Sequence, residues 1–147
     1  MALVAPLLTT LIFGAMELGY YFFSEHVVVK AVRDGARYAS RQSFDQYTCP
    51  DQVDPAVVTN TRNVTRTDQV AGGGSARLSS WTSGNTIDVT LRCDTSGSYG
   101  AFYTGMAGVP VVSVSATVPY NSLFSLLGFN AVSLSLNAAS EVPVMGV

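Results

Sequence analysis

From Met1 to Phe23 apolar residues follow one another with a single charged interruption, Glu17, so this stretch reads as a helix that is hydrophobic on every side. Twenty-three helical residues rise about 35 Å, enough to cross the hydrocarbon core of a bilayer. Pro6 lies near the start, where a helix tolerates proline best. After Ser24 the pattern changes but the helical period continues. Lys30, Asp34, Arg37 and Arg41 recur at steps of four, three and four and mark a wet face, with Lys30–Asp34 and Asp34–Arg37 spaced for ion pairs. Val28, Val32, Gly35, Ala36 and Ala39 fall on another face, whose small residues let a second element come close. The expectation is one helix from Pro6 to Ser43, about 57 Å long. Residues 1–23 would be its membrane or filament-core half and residues 24–43 its amphipathic continuation, packed on a sheet.

Beyond this rod the chain turns to Thr, Ser, Asn, Gly and Val. Asp54 as N-cap, Pro55 as first residue and Gly72–Gly74 as a stop predict a second helix. Ile87, Val89, Leu91 and Cys93 alternate with Asp88, Thr90 and Arg92, the period of a half-buried strand. Val112, Val114, Ala116 and Val118 alternate in the same way with Ser113, Ser115 and Thr117. A short helix is expected over Ser122–Leu127. A last strand should turn Val132, Leu134, Leu136 and Ala138 inward. Clean alternation between short turns predicts an antiparallel sheet of about four strands, one face covered by the amphipathic half of the long helix. That is an α+β fold, with residues 44–147 as the globular domain.

Composition sharpens this picture. Charged residues are 12% of the chain, about half the usual share, and mean hydropathy is +0.29. Two arrangements fit: apolar surface placed in lipid or against copies of the same chain, or a soluble domain with a buried apolar helix. A net charge of −2 carries no electrostatic footprint for nucleic acid. Cys49 and Cys93 form no CxxC pair, and with one histidine, His26, no zinc ligand set exists. They are either two buried thiols or, in an oxidising compartment, a disulfide whose loop would stabilise the fold by ~4 kcal/mol.

Candidate chemistry is sparse. His26 lies at the membrane end of a helix, far along the sequence from every strand-end loop, and reads as a solvated or interfacial histidine. Neither phosphate-binding glycine motif is present, and Gly72–Gly74 has no lysine behind it. Asn63-Val64-Thr65 fits a glycosylation sequon as chance allows. Asp94, Thr95, Ser96 and Ser98 gather oxygens without the spacing of a calcium-binding EF-hand loop, and read as a polar turn. The expectation is a protein with no catalytic site, no metal and no cofactor.

Orientation raises a conflict. No Lys or Arg precedes the apolar run, whereas Lys30, Arg33, Arg37 and Arg41 follow it, which on charge alone would leave the domain in the cytoplasm. A Thr/Ser-rich, lysine-poor domain with two well-separated cysteines reads instead as exported. A basic leader upstream of Met1 would reconcile the two, and the natural reading frame is expected to continue there. Export would also favour the Cys49–Cys93 disulfide.

The stretch "MALVAPLLTTLIFGAMELGYYFF" followed by "VRDGARYAS" resembles the opening of the TadE-like pseudopilins of the bacterial tight-adherence (Tad, Flp-type) pilus machinery. In that family the apolar segment commonly reads V-E-F-A-L-V-A-P just after the prepilin-peptidase site. Met1-Ala2-Leu3-Val4-Ala5-Pro6 matches it with Met for Phe, which puts the usual Glu before Met1. Glu17-Leu18-Gly19 and Ala31–Arg37 fit the family's E-x-G and A-x-x-G-A-R patterns, and "VSVSATVPYNSLFSLLG" resembles its strand, Tyr/Pro turn and short apolar helix. The middle of the chain is unmatched.

The resemblance implies a pilin, minor pilin or pseudopilin held in the inner membrane with its C-terminal domain periplasmic, then assembled helix against helix into an extracellular pilus serving adhesion. Its partners would be further copies or other pilins, the inner-membrane assembly platform and the prepilin peptidase. The assembling helix would use Leu3, Pro6, Leu7, Leu11, Phe13, Gly14, Glu17, Leu18, Tyr21 and Phe22. Val28, Val32, Gly35, Ala36 and Ala39 would seat it on the sheet. A carboxylate at mid-span costs ~2.5–3.5 kcal/mol on insertion scales. Glu17 therefore either pairs with a cation or backbone donor in the filament or snorkels to the interface. The chain is longer than the short Flp major pilins, which favours a minor or priming role. The rival reading is a membrane-anchored periplasmic module whose β domain binds a ligand.

Overall fold

The computed structural model describes residues 4–97, 103–106, 108–127 and 134–146. Helix α1 runs unbroken over Val4–Ser40. It ends three residues short of the expected Ser43 because its last carbonyl is taken from outside: the Met145 amide donates to the Ser40 oxygen at 2.7 Å, and Arg41 and Gln42 tighten into bonds to Tyr38 and Ala39. Only the second half of α1 enters a core. Ser24, Val28, Ala31, Val32, Gly35, Ala36, Ala39 and Ser40 are its buried residues.

A 3₁₀ turn at Phe44–Gln46 leads into a two-stranded antiparallel ribbon, β1 (Tyr47–Thr48) and β2 (Gln52–Val53). Helix α2 follows over Pro55–Thr67, started by the Asp54 carboxylate, which accepts from the Ala56 amide at 2.7 Å. It stops well before the glycines. Asp68 takes the left-handed conformation (φ 62°), and its amide donates back to the Val64 carbonyl. A short polar side chain tolerates that conformation, so no glycine is needed to end the helix.

The main sheet has three antiparallel strands in the order β3 (Ile87–Asp94), β4 (Val109–Pro119), β5 (Ser135–Pro143). It is thus a three-stranded sheet plus a separate ribbon, where a single sheet of about four strands was expected. The alternation places Ile87 and Leu91 of β3 and Val112, Val114, Ala116 and Val118 of β4 inward, all buried. On β5, Leu136 is buried and Ala138 packs at the edge of the core. Leu134 departs from the expectation. It precedes the strand, remains 48% exposed, and its carbonyl accepts from the Tyr120 amide. Val132 lies outside the described residues.

Two apolar clusters share the covered face of the sheet. Val28, Ala31, Val32 and Ala36 of α1 meet Leu78, Trp81, Ile87, Val114, Val118 and Leu136 in one. Ala39 joins Tyr47, Val57, Leu91, Val112 and Val144 in the other. The segment from Ala76 to Trp81 is a turn: the Trp81 amide bonds the Leu78 carbonyl, both side chains enter the core, and the indole N–H donates to the Thr86 hydroxyl at 3.0 Å.

Gly35 corrects the expected helix–sheet face, because its neighbour is α2. A Cβ there would overlap the Thr65 hydroxyl, so the missing side chain is what lets the two helices touch. Asp34 also turns to this side. It pairs with Arg77 at 3.0 Å, in place of the expected Lys30 and Arg37, and the same guanidinium reaches Asp68 at 2.7 Å. Arg77 thus ties α1 to the C-terminal end of α2. Cys49, just after β1, is joined to Cys93 on β3 with 5.9 Å between Cα atoms, which fastens the ribbon to the main sheet across 44 positions.

Candidate functional site

The N-terminal half of α1 stands apart from the core. From Val4 to Phe23 every residue is exposed except Glu17, Tyr20 and Tyr21, which are half-buried. Pro6, Leu7, Leu11, Gly14, Leu18 and Phe22 all face outward from the chain; Leu3 lies outside the described residues. The helix is long and apolar enough to cross a membrane. Leu and Phe side chains left bare along several turns form an apolar surface far larger than scattered exposure produces.

One contact interrupts this bareness. Phe13, Glu17, Tyr20 and Tyr21 recur at steps of four, three and one, which places them on one face of the helix. That face meets the turn leaving β4. Glu17 accepts from the Tyr120 hydroxyl at 2.9 Å through Oε1 and from the Leu123 amide at 3.0 Å through Oε2. The same phenol lies 3.3 Å from the Glu17 main-chain carbonyl. The Tyr120 ring packs against Tyr21 (5.2 Å between centroids) and Tyr20 (5.9 Å), and Phe124 meets Phe13 edge-on at 6.0 Å.

The turn is built to present these donors. Pro119 ends β4, the Tyr120 amide is taken by Leu134, and Leu123–Leu127 coil into a 3₁₀ turn. Ser122 organises its start. Its hydroxyl accepts from the Phe124 amide at 3.1 Å, and its carbonyl accepts from the Ser125 amide and hydroxyl. With those bonds made, the Leu123 amide is free to point at Glu17. A small crevice of about 130 Å³ opens beside it between Phe13, Met16, Leu123 and Phe124.

Glu17 was expected to pair with a cation or backbone donor in the filament or to snorkel to the interface; within the single chain its donors are the Tyr120 hydroxyl and the Leu123 amide. Of the turn residues, Tyr120 and Leu123 were missed as partners. The only sign in the sequence is that an uncharged Tyr-containing turn follows a strand, and nothing local links it to a helix 103 positions away.

Elsewhere chemistry is thin. His26 is exposed on α1. The Asp94 carboxylate accepts from the Ser96 amide at 2.9 Å, closing a polar turn. Among the described residues no three His, Cys, Asp or Glu side chains are grouped to hold a metal.

Residues 1–37 match the model of a family described as TadE-like protein, a stretch that includes Glu17 and Gly35. No curated protein and no solved structure matches the chain.

Proposed function

We propose that this chain is a structural subunit, a pilin, minor pilin or pseudopilin, of a Tad-type pilus. The single observation that carries the reading is the division of α1: one continuous 37-residue helix, bare and apolar in its first half, buried in its own domain in its second. A soluble domain would leave that first half facing water at a cost of about 25 cal/mol per Å² of apolar surface. In lipid, or in a bundle of like helices, the cost disappears. The match of residues 1–37 to the TadE-like family supports the same assignment. In this reading Pro6, Leu7, Leu11, Gly14, Leu18 and Phe22 are the packing surface toward other copies, and the working divisions are 1–23, 24–43 and 44–147.

The Cys49–Cys93 bond favours an oxidising compartment for the domain, hence a periplasmic and later extracellular location. In this reading the role is mechanical. The rival, a tethered ligand-binding module, differs in what the bare helix does. Dilution of the purified full chain out of detergent separates them. Filaments or helix-mediated oligomers, abolished by Gly14→Trp, are expected for the subunit; a stable monomer in lipid discs would instead favour the tether.

A further inference from the structure

The turn that clamps Glu17 lies alongside the apolar part of α1, and this has a consequence for where the domain sits. Tyr20 and Tyr21 are of the residue type that marks the edge of a bilayer, and with Phe22 and Phe23 beside them, 50% and 60% exposed, they form an aromatic girdle. Phe13, where Phe124 is seated, lies seven residues nearer the N-terminus than Tyr20, or about 10 Å further along the axis. A turn held at Phe13 and Glu17 cannot remain in water while the girdle occupies the interface.

We infer that the Tyr120–Phe124 turn is a second membrane-inserted element, lying in the outer part of the leaflet beside α1, with lipid as its partner. Three features suit that medium. Four amides of the segment find partners within the protein: those of Tyr120, Leu123, Phe124 and Ser125 bond the Leu134 carbonyl, Glu17, the Ser122 hydroxyl and the Ser122 carbonyl, the internal pairing that lipid requires of an irregular segment. The Glu17 carboxyl group has a donor on each oxygen, which offsets the cost of removing it from water. Finally, Leu123 and Leu134 are exposed at this end of the domain, and from Thr95 to Ser140 the sequence holds no acidic or basic residue. The inference rests on the reading of α1 as a membrane helix.

The test uses the full chain reconstituted in phosphatidylethanolamine–phosphatidylglycerol vesicles, with lipids brominated in the upper acyl chain as quencher. Trp81, fully buried in the core, serves as the unquenched background. Phe124→Trp is expected to lose about half its added emission, the behaviour of a side chain about 5–10 Å below the headgroup boundary. Leu123→Trp, at a position already 39% exposed, gives the same readout if the first variant fails to fold. Leu8→Trp reports the helix alone. Quenching of Leu8→Trp by bromolipid, with the turn variants quenched only by aqueous iodide, overturns the inference and leaves the membrane helix standing. Failure of all three to respond to bromolipid overturns both. Turn variants shielded from lipid and iodide alike, and cross-linkable between chains, would assign the turn to a second copy and overturn the lipid assignment.

Discussion

The carboxyl group of Glu17 and the phenol of Tyr120 lie 2.9 Å apart, although 103 positions separate them along the chain. This bond joins the bare half of the helix to the domain. It fixes the direction in which the helix leaves the sheet, because Phe13, Tyr20 and Tyr21 pack around it. Tyr120→Phe leaves Glu17 with the Leu123 amide alone and is expected to destabilise the domain by ~1–3 kcal/mol. Glu17→Ala also releases the Leu123 amide and should cost at least as much, and the double variant little more than Glu17→Ala, since the Tyr120–Glu17 bond is lost in each. Urea unfolding in detergent, followed by Trp81 fluorescence, measures all three; fully additive losses would mean the two groups act separately.

Gly35 is the narrowest point between α1 and α2. Gly35→Ala is expected to lose ~1–3 kcal/mol, because Thr65 cannot withdraw without moving its helix. Thr65→Ala in the same chain removes the overlapping hydroxyl and should restore part of the loss. Thermal melts of the single and paired variants decide it. An unchanged midpoint for Gly35→Ala would show the helices free to separate.

Replacing both Cys49 and Cys93 with serine releases a 44-position loop and should lower stability by ~4 kcal/mol on the chain-entropy model. Chemical denaturation with and without reductant reads the same quantity in the parent. A midpoint indifferent to reductant would indicate that Tyr47, Val57 and Leu91 hold the ribbon to the sheet unaided.

Tyr47 supplies a pH dependence. Its hydroxyl donates to the Ala39 carbonyl in the core, and burial, with a smaller contribution from Tyr38, raises its pKa from 10.0 to about 12. The folded state therefore holds the proton more tightly than the unfolded one. The associated stability is complete below pH 10 and is lost as pH rises toward 12, on the order of 2–3 kcal/mol in all. Tyr47→Phe should flatten that part of the profile relative to the parent. Equal alkaline slopes for the two would remove Tyr47 as the cause.

Sequence pattern predicted the elements whose partners are local. The period of Val28, Val32 and Ala36 revealed the buried face of α1, and the alternation from Val112 to Val118 revealed β4, because burial of one side imprints itself on neighbouring positions. Asp54-Pro55 foretold the start of α2 for the same reason, since a cap acts within one turn. Its end was misread because Asp68 replaces glycine in the left-handed position. The ribbon of Tyr47–Thr48 and Gln52–Val53 is too short to show any period. The clamp at Glu17 was hidden for a different reason. A carboxyl group in an apolar run announces a missing donor but not its address, and two of the bonds meeting there involve main-chain groups that any residue would supply.

The three-stranded sheet carries its charge only at its margins. Asp88, Arg92 and Asp94 lie on β3 and Glu141 on β5, while β4 between them has none. Two copies that tried to zip along β3 about Leu91 would set Asp88 of each opposite Asp94 of the other, and like charges across a strand pair repel. Pro143 removes a donor from the opposite margin. Copies brought side by side would thereby be kept from fusing sheet to sheet into amyloid-like aggregates, which under the proposed function leaves association to the rod.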